Sequence, residues 1–219
     1  MSQIKAILFD LDGTINNTVT DLAQSVNYAL NKNGLPTHEE DAYKLFAGNG
    51  MRVMVQRAMP EGLKEGELFE KVVADYAEYY AVHSMDNTAP YSGIPELLSE
   101  LRNRGYMLAV VTNKPDVQAK PLLEAMYPAT FDAIIGQTDA TPAKPDPTMP
   151  LEAMRLLGVT PQECVFVGDS GVDIQTGINS GAYPVGVLWG FRGSEELLAN
   201  GAKELISQPS ELLTILERR

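Results

Sequence analysis

Four short runs of apolar residues are spaced along the chain. They are "AILF" from Ala6, "YMLAVV" from Tyr106, "CVFV" from Cys164 and "YPVGVLW" from Tyr183. A weaker run, "FDAIIG", starts at Phe131. Each run is almost continuously apolar, a pattern typical of parallel strands that are covered on both faces. The runs therefore predict a parallel sheet buried inside a domain.

Helical patterns lie between these predicted strands. The stretch "IPELLSELRNRG" has a proline near its start and a glycine at its end, the usual order in a helix. The stretch "DPTMPLEAMRLLG" also closes with glycine, and its apolar residues recur at helical spacing. Alternating strands and helices predict an α/β fold, a Rossmann-like core around a mostly parallel sheet.

One long interval without a strand candidate interrupts this alternation. Apolar residues recur there every four positions, once from Leu22 and again from Leu68, as expected for helices. The interval is too long for a simple crossover between two strands. We therefore predict an inserted α-helical cap domain at residues 16–90, and a catalytic core domain made of residues 1–15 and 91–219.

The charge composition limits the kinds of molecule that the protein is expected to bind. The 219 residues carry a formal net charge of -12 and contain no long basic run, which disfavours nucleic acid and anionic membrane surfaces. No apolar stretch reaches the roughly 18 residues of a membrane-spanning helix, and the N-terminus lacks a signal-peptide pattern. We expect a cytoplasmic protein, a monomer or a homodimer, whose partner is a small anionic ligand held by a local cation.

An acid pair ends the first predicted strand, in the stretch "LFDLDGTI". Asp10 and Asp12 are two residues apart, so their side chains point the same way on an extended backbone. They lie at the carboxyl end of the strand, where ligands bind in open parallel sheets. Two close carboxylates repel each other unless a cation lies between them or one is protonated, and Mg²⁺ prefers such oxygen ligands. A solvated turn is the alternative interpretation, because Asp and Gly are common turn residues.

Three further motifs carry polar side chains near predicted strand ends. Thr112 and Asn113 lie in "VVTNKP", Lys144 in "AKPDP", and Asp169 and Asp173 in "VGDSGVD". Each motif alone has an ordinary explanation, because polar residues follow most strands, loop lysines are usually solvated, and acids often start helices. Together, the acids would hold a divalent metal, and the Thr, Asn and Lys would hold an anion. A metal, an anion site and a carboxylate nucleophile are the parts that phosphoryl transfer needs.

The motifs "DLDGT", "VVTN", "AKPDP" and "VGDSGVD", in this order, resemble the four motifs of the haloacid dehalogenase-like superfamily. The resemblance extends from Lys5 to Trp189, and the predicted helical insert resembles the first cap class of that superfamily. The stretches "FAGNGMRVMVQRAM" and "TNKP" are further similar to its phosphoglycolate phosphatase branch. The resemblance implies a Mg²⁺-dependent phosphatase that hydrolyses a small phosphorylated metabolite, such as 2-phosphoglycolate, which would be its partner.

The resemblance also implies a role for each motif residue. Asp10 would be the nucleophile that becomes an aspartyl-phosphate, and Asp12 would protonate the leaving oxygen and then activate water. Lys144 would neutralise Asp10 and the transferring group. The phosphate-binding residues would be Thr112, Asn113 and Lys144. The Mg²⁺ ligands would be Asp10, the Asp12 backbone carbonyl and Asp169, with Asp173 in support.

The cap stretch "GNGMR" allows two interpretations. It forms a turn between two cap helices, or it places Asn49, Gly50 and Arg52 over the site as substrate-specificity residues. In the second case, Arg52 would bind a second anion of the substrate, such as a carboxylate. Asn17 stands where relatives often have an acid, which affects the expected contacts at the cap hinge and not the chemistry.

Three other functions use similar parts. A sugar-phosphate mutase of the β-phosphoglucomutase kind would form the same aspartyl-phosphate and return the phosphate to a sugar. A pyrophosphatase is the second alternative. A phospho-accepting receiver module is the non-enzyme alternative, since receivers also carry an acid pair, a Thr and a Lys on a parallel sheet. Receivers keep the accepting Asp on a middle strand of the sequence and lack a large cap, so this chain fits that alternative less well.

Overall fold

The computed structural model describes residues 3–219 and is built around one large sheet. The strands are β1 (Ala6–Phe9), β2 (Asn16–Asn17), β3 (Ala89–Pro90), β4 (Met107–Pro115), β5 (Ala133–Gln137), β6 (Cys164–Gly168), β7 (Tyr183–Val187) and β8 (Glu204–Ile206). Six of them form the sheet in the order β5-β4-β1-β6-β7-β8, with every neighbouring pair parallel. The predicted α/β fold is confirmed. Strand β8 was not predicted, because three residues are too few to show a pattern.

Helices lie between the strands, as the apolar spacing predicts. They are α1 (Val19–Lys32), α2 (Glu40–Phe46), α3 (Met51–Ala58), α4 (Glu67–His83), α5 (Ile94–Asn103), α6 (Asp116–Met126), α7 (Thr148–Leu157), α8 (Gly171–Ser180), α9 (Ser194–Ala199) and α10 (Glu211–Glu217). A single 3-10 turn, Pro161–Glu163, precedes β6. Within residues 3–219, no helix combines the length and the apolar character that crossing a membrane requires.

Both faces of the large sheet are buried, which explains the continuous apolar runs. In β1, Ile7 and Phe9 join a cluster that includes residues of α5, α6 and α10. Ala6 and Leu8 belong to a different cluster, with residues of α7 and β6. Successive residues of a strand point to opposite faces, so a strand covered on both sides needs apolar residues at every position.

The strand order changes direction at β1. The chain passes from β1 to β4 and β5 on one side, and then crosses to β6, β7 and β8 on the other. In open α/β sheets, the crevice outside the carboxyl ends of the strands at such a point is the usual place for a ligand. The end of β1, followed by Asp10 and Asp12, lies at this crevice.

Helices α1 to α4 pack around an apolar cluster of their own, which includes Val26 of α1, Tyr43 of α2 and Tyr76 of α4. Strands β2 and β3 pair as an antiparallel ribbon that connects these helices to the large sheet. The ribbon was not predicted, because two-residue strands carry no pattern. It lies at the ends of the predicted cap, residues 16–90. The division into cap and core remains a prediction, which this packing supports.

A buried acid ties together the two chain segments that lead into and out of the cap. Asp21, in α1, accepts hydrogen bonds from the backbone N–H groups of Asn87 and Thr88, at 2.8–3.1 Å. Asn17 is exposed, and its side-chain oxygen accepts the Val19 N–H at 3.4 Å, at the start of α1. In this chain, the anchoring carboxylate near the hinge therefore belongs to Asp21.

Core residues hold the cap over the carboxyl ends of the strands. Arg192, in the segment after β7, donates to backbone carbonyl oxygens of Lys44, Leu45 and Ala47 in the cap. The side-chain amide of Asn113, near the end of β4, donates to a cap carbonyl in the α2–α3 connection at 3.0 Å. The cap therefore covers the sheet edge at which the predicted site residues lie.

Candidate active site

The loop after β1 turns tightly just beyond Asp10. The Leu11 carbonyl accepts hydrogen bonds from the N–H groups of residues 14–16, at 3.0–3.2 Å. Gly13 has a φ of +87°, and a Cβ at this position would overlap the Asp169 carboxylate. Glycine meets both requirements, a left-handed backbone and the absence of a side chain. The turn therefore brings the first and fourth motifs into contact.

Three acids meet beside this loop. Asp10 follows β1, Asp169 follows β6, and Asp173 lies in the first turn of α8; one carboxylate oxygen of each lies within 4.8 Å of the others. All three are buried. Burial and the charge of Asp173 raise the pKa of Asp10 from 3.8 to about 7. Burial and the two neighbouring acids also raise the pKa of Asp169 well above its ordinary value. Such repulsion among buried acids indicates a position for a cation.

Hydrogen bonds fix the orientation of two of these acids. Asp169 accepts from the Thr14 hydroxyl at 3.3 Å and from the Phe191 backbone N–H at 2.7 Å. Asp173 accepts from the Ser170 N–H at 3.0 Å and the Ser170 hydroxyl at 2.6 Å, in the capping box that starts α8. Asp173 therefore caps a helix with one oxygen and directs the other into the site. The contributions of Thr14, Ser170 and Phe191 were not predicted from the sequence.

Lys144 lies between the acids and not at the surface. Its ammonium is 2.8 Å from Asp10 Oδ1 and 2.7 Å from Asp173 Oδ1, and it donates to the Val111 carbonyl at 3.0 Å. Its side chain is 1% exposed. Burial acts to lower the pKa of this lysine, but the two carboxylates together raise it above its ordinary value. The alternative interpretation of Lys144 as a solvated loop lysine is therefore wrong.

The end of β4 completes this side of the site. Thr112 and Asn113 are both buried. The Asn113 side-chain oxygen accepts the backbone N–H of Lys144 at 2.7 Å, and its amide donates to the Lys144 carbonyl at 3.2 Å. Asn113 therefore fixes the loop that carries the lysine. Both β4 residues line a cavity of about 40 Å³, together with Asp10 and Asp12.

Comparison with protein families explains this arrangement of four strand-end motifs. A family model described as "Haloacid dehalogenase-like hydrolase" matches residues 7–187. The chain belongs to this family. The resemblance inferred from the motifs is thereby confirmed.

Relatives of this haloacid dehalogenase-like hydrolase include several phosphatases. It is 35% identical to a phosphoglycolate phosphatase of Pseudomonas putida, over 95% of this chain and 78% of the relative. It is 32% identical to the N-acetylmuramic acid 6-phosphate phosphatase of Pseudomonas aeruginosa, over 99% and 96% of the two chains. The solved structure of a predicted phosphoglycolate phosphatase from Haemophilus somnus matches with a TM-score of 0.90 and 32% identity, over 98% of this chain and 99% of that one. The chain is therefore a phosphatase enzyme of this family.

The acidic cluster of the hydrolase fits a hard divalent cation. It offers three carboxylates, which are the oxygen ligands that Mg²⁺ and Ca²⁺ prefer. A Cβ at Gly190 would overlap both Asp169 and the Gly13 carbonyl, so glycine is needed there for the close packing around this acid. The carboxylate of Asp12 is not part of the cluster, so only its backbone carbonyl is a candidate ligand. These residues can hold a metal ion.

The three cap residues predicted to contact the substrate lie in different surroundings. Gly50 lines the cavity. Arg52 lies on the exposed side of α3, where it donates to both carboxylate oxygens of Glu70 at 2.5 and 2.8 Å. The side chain of Asn49 accepts a hydrogen bond from Arg57 at 2.8 Å. In this structure Arg52 is paired on the cap surface, so its assignment as the residue that binds a second anion stays a prediction, which this position does not support.

Lys114 is the site residue that was missed. Its side chain is 3% exposed and lines the cavity, and its ammonium donates to the two carboxylate oxygens of Asp12 at 3.0 and 3.2 Å. A weak signal was present in the sequence, since Lys114 is two residues beyond Thr112 and alternate residues of a regular strand point the same way. The pairing of β4 with β5 shifts register between Thr112 and Pro115, so this alternation does not by itself fix the direction of the Lys114 side chain. In the structure, both residues line the same cavity.

Proposed function

We propose that this phosphatase hydrolyses small phosphomonoesters, 2-phosphoglycolate among them, through an aspartyl-phosphate on Asp10 and with Mg²⁺ at the acidic cluster. The observation that carries the proposal is the grouping of Asp10, Asp12 and Lys144, which supplies a nucleophile, a proton donor and a buried cation 2.8 Å from the nucleophile. The Mg²⁺ would be held by Asp10, Asp169 and the Asp12 carbonyl, with Asp173 in support. When bound, it would stabilise negative charge on the transferring phosphoryl group.

The first step breaks the bond between phosphorus and the ester oxygen. A carboxylate oxygen of Asp10 attacks phosphorus, and Asp12 gives its proton to the leaving oxygen, so the alcohol leaves as a neutral molecule. Lys144, Thr112 and the Asn113 backbone hold the phosphoryl oxygens. Buried donors at fixed positions stabilise this charge more than water does, because they need no reorganisation.

The second step breaks the bond between phosphorus and Asp10. Asp12, now a carboxylate, takes a proton from a water molecule, and the resulting hydroxide attacks phosphorus. Inorganic phosphate leaves and the Asp10 carboxylate is restored. The cap contacts made by Arg192 and Asn113 close the site during both steps, so the cap must move for phosphate to leave.

The size of the cavity supports a small substrate. Cap residues Gly50 and Met51 lie against the core residues Asp10 and Asp12 around this cavity, which leaves little room beside the phosphoryl group while the cap stays in this position. The relatives named as phosphoglycolate phosphatases support the same choice.

Phosphate release from a panel of esters tests the proposal. The panel contains 2-phosphoglycolate, N-acetylmuramic acid 6-phosphate, hexose phosphates, pyrophosphate and p-nitrophenyl phosphate, each with Mg²⁺ and with excess chelator. We expect Mg²⁺-dependent release, fastest from 2-phosphoglycolate. Sugar-phosphate isomerisation without phosphate release would instead identify a mutase, and full activity in chelator would exclude the metal.

Binding of Mg²⁺ should release protons below about pH 7. Without a cation, the pKa of Asp10 is raised from 3.8 to about 7 and that of Asp169 is raised in the same direction, whereas metal ligation needs both as carboxylates. An acid with a raised pKa in the folded state takes up a proton on folding. The metal-free protein should therefore lose stability as the pH rises from about 4 to about 7, and its affinity for Mg²⁺ should rise over the same range.

Calorimetric titration with Mg²⁺ at about pH 6, in two buffers of different ionisation enthalpy, counts the released protons. The same titration at about pH 9 is the internal control, where Asp10 no longer contributes and the release should be smaller. An affinity for Mg²⁺ that is constant from about pH 5 to about pH 8 would contradict the assignment of these acids as ligands.

A further inference from the structure

We propose that Arg192 is a positioning residue for Asp169, and that it couples the position of the cap to the affinity of the acidic cluster for a divalent cation. The coupling would run through residues 188–192, the bridge segment, which follows β7. This inference rests on the proposed Mg²⁺ site of the phosphatase and concerns the control of that same site. Arg192 lies outside the four sequence motifs.

The bridge segment packs against both the core and the cap. The Trp189 side chain packs against the apolar cluster of α5, α6 and α10, and the Phe191 side chain packs against the cluster of helices α1 to α4. Gly190 lies between them, and a Cβ there would overlap the Asp169 side chain and the Gly13 carbonyl. Close-packed groups transmit a displacement to their neighbours. A movement of either aromatic side chain therefore reaches the backbone beside Asp169.

Hydrogen bonds connect the bridge segment to both carboxylate oxygens of Asp169. One oxygen accepts the backbone N–H of Phe191 at 2.7 Å. The other accepts the Thr14 hydroxyl at 3.3 Å, and the Thr14 carbonyl in turn accepts the indole N–H of Trp189 at 3.0 Å. Such outer hydrogen bonds orient a carboxylate that binds a metal and change its affinity for the ion. The bridge segment therefore controls the direction of this acid.

Arg192 connects the same segment to the cap. Its guanidinium donates to three backbone carbonyl oxygens at the carboxyl end of α2, those of Lys44, Leu45 and Ala47. Its side chain is 10% exposed, and its Nε lies 3.2 Å from the Glu196 carboxylate. The end of a helix carries partial negative charge, and a planar guanidinium can bind several acceptors at once. Because Arg192 directly follows Phe191, a shift of α2 acts on the N–H group that holds Asp169.

Two simpler roles for Arg192 lead to different results. Burial and the neighbouring acids raise the pKa of Asp169, and the positive charge of Arg192 acts against them, so this charge reaches the cluster. Acting through space alone, the charge would repel Mg²⁺, and its removal would strengthen binding. If Arg192 only stabilised the cap, its removal would lower stability and leave the affinity for Mg²⁺ unchanged. A positioning role predicts weaker binding of Mg²⁺.

Opening of the cap would loosen the metal site in this arrangement. The cap must move for phosphate to leave, and this movement breaks the contacts between Arg192 and α2. Asp169 then loses part of its support, so a cation is held less tightly while the cap is open. Coupling between two sites is reciprocal, so a bound cation favours the closed cap to the same extent.

Calorimetric titration of the full-length protein with Mg²⁺, without substrate, tests the inference. It is done at about pH 9, where competition from protons at the acids is smallest. Arg192→Met should bind Mg²⁺ about 5- to 150-fold more weakly than wild type, the usual range for coupling between two sites. Arg192→Lys keeps the charge but loses the forked donor geometry, so it should show part of the same loss. Urea unfolding, followed by the fluorescence of the single tryptophan, Trp189, verifies that each variant is folded.

Arg57→Met is the matched control. Arg57 also donates to carbonyl oxygens at the end of α2, those of Leu45 and Phe46, but it belongs to the cap helix α3 and not to the bridge segment. Its replacement should leave the affinity for Mg²⁺ unchanged. Equal weakening by Arg57→Met would overturn the inference, because the effect would then belong to the cap in general.

An affinity of either Arg192 variant that equals or exceeds that of wild type would also overturn it. Arg192→Lys carries the test if the methionine variant does not fold. These results leave Mg²⁺ binding and phosphate release by the wild-type protein intact. Failure of the proposed function would instead appear in the wild-type protein itself, as absent Mg²⁺ binding or absent phosphate release, so the two failures are distinguishable.

Discussion

Replacing Lys144 by alanine should cost this enzyme both activity and stability. The ammonium is 2.8 Å from Asp10, and the loss of one aimed electrostatic group lowers kcat by about 10²–10³. The change also leaves Asp10 and Asp173 buried without their cation, and breaking a buried ion pair costs about 3–5 kcal/mol. Steady-state kinetics with Mg²⁺ and denaturant unfolding in chelator would measure the two losses separately.

Two further variants make this result interpretable. Lys120→Ala removes an exposed lysine that pairs with Asp116 on the surface of α6, so both kcat and stability should stay near wild type. The double variant Lys144→Ala/Asp173→Asn should regain part of the lost stability, because one buried negative charge is gone, while its activity stays low. A Lys144→Ala protein with wild-type kcat would contradict the catalytic role, and one with wild-type stability would contradict the buried ion pairs.

The meeting of the first, second and fourth motifs at one edge of the sheet could be predicted from the sequence, because the strands that carry them have a recognisable apolar pattern. Residues of β1, β6 and β7 and of the first half of β4 are apolar at nearly every position, since helices cover both faces of the sheet. Carboxyl ends of parallel strands share one edge, so Asp10, Thr112 and Asp169 could be expected to meet. The β2–β3 ribbon and β8 were not predictable in this way, because two or three residues define no periodicity.

The surroundings of the lysine and arginine side chains were harder to predict, because they depend on tertiary contacts. A lysine before a proline looks solvated in sequence, and only the fixing of its loop by Asn113 buries Lys144 among the acids. Arg52 lies in the first turn of a cap helix that reaches the cavity. Its guanidinium instead pairs on the cap surface with Glu70, which is eighteen positions further along the chain. Lys114 looked like an ordinary residue after a strand end until the strand proved to continue to Pro115. Residue type and motif order were predictable, whereas side-chain direction was not.

The variants Asp10→Asn and Asp12→Asn should stop the reaction at different steps. Asp10→Asn removes the nucleophile, so no covalent intermediate forms and kcat falls by about 10⁴–10⁶. Asp12→Asn keeps the nucleophile and the backbone carbonyl, and loses the group that protonates the leaving oxygen and activates water. With p-nitrophenyl phosphate, whose leaving group needs little protonation, the first step should partly survive. The second step still needs a base, so phospho-enzyme should accumulate.

Intact-mass measurement after mixing each variant with p-nitrophenyl phosphate and Mg²⁺ distinguishes the two. We expect one phosphate adduct on Asp12→Asn, mapped to Asp10, and none on Asp10→Asn. The double variant Asp10→Asn/Asp12→Asn is the matched control and should stay unmodified, because the only change from Asp12→Asn is the missing nucleophile. An adduct on Asp10→Asn, or one mapped to another residue, would overturn the covalent mechanism. An Asp12→Asn protein that stays unmodified while it releases nitrophenolate steadily, without a burst, would instead mean that water attacks the phosphoryl group directly, with Asp10 acting only as a metal ligand.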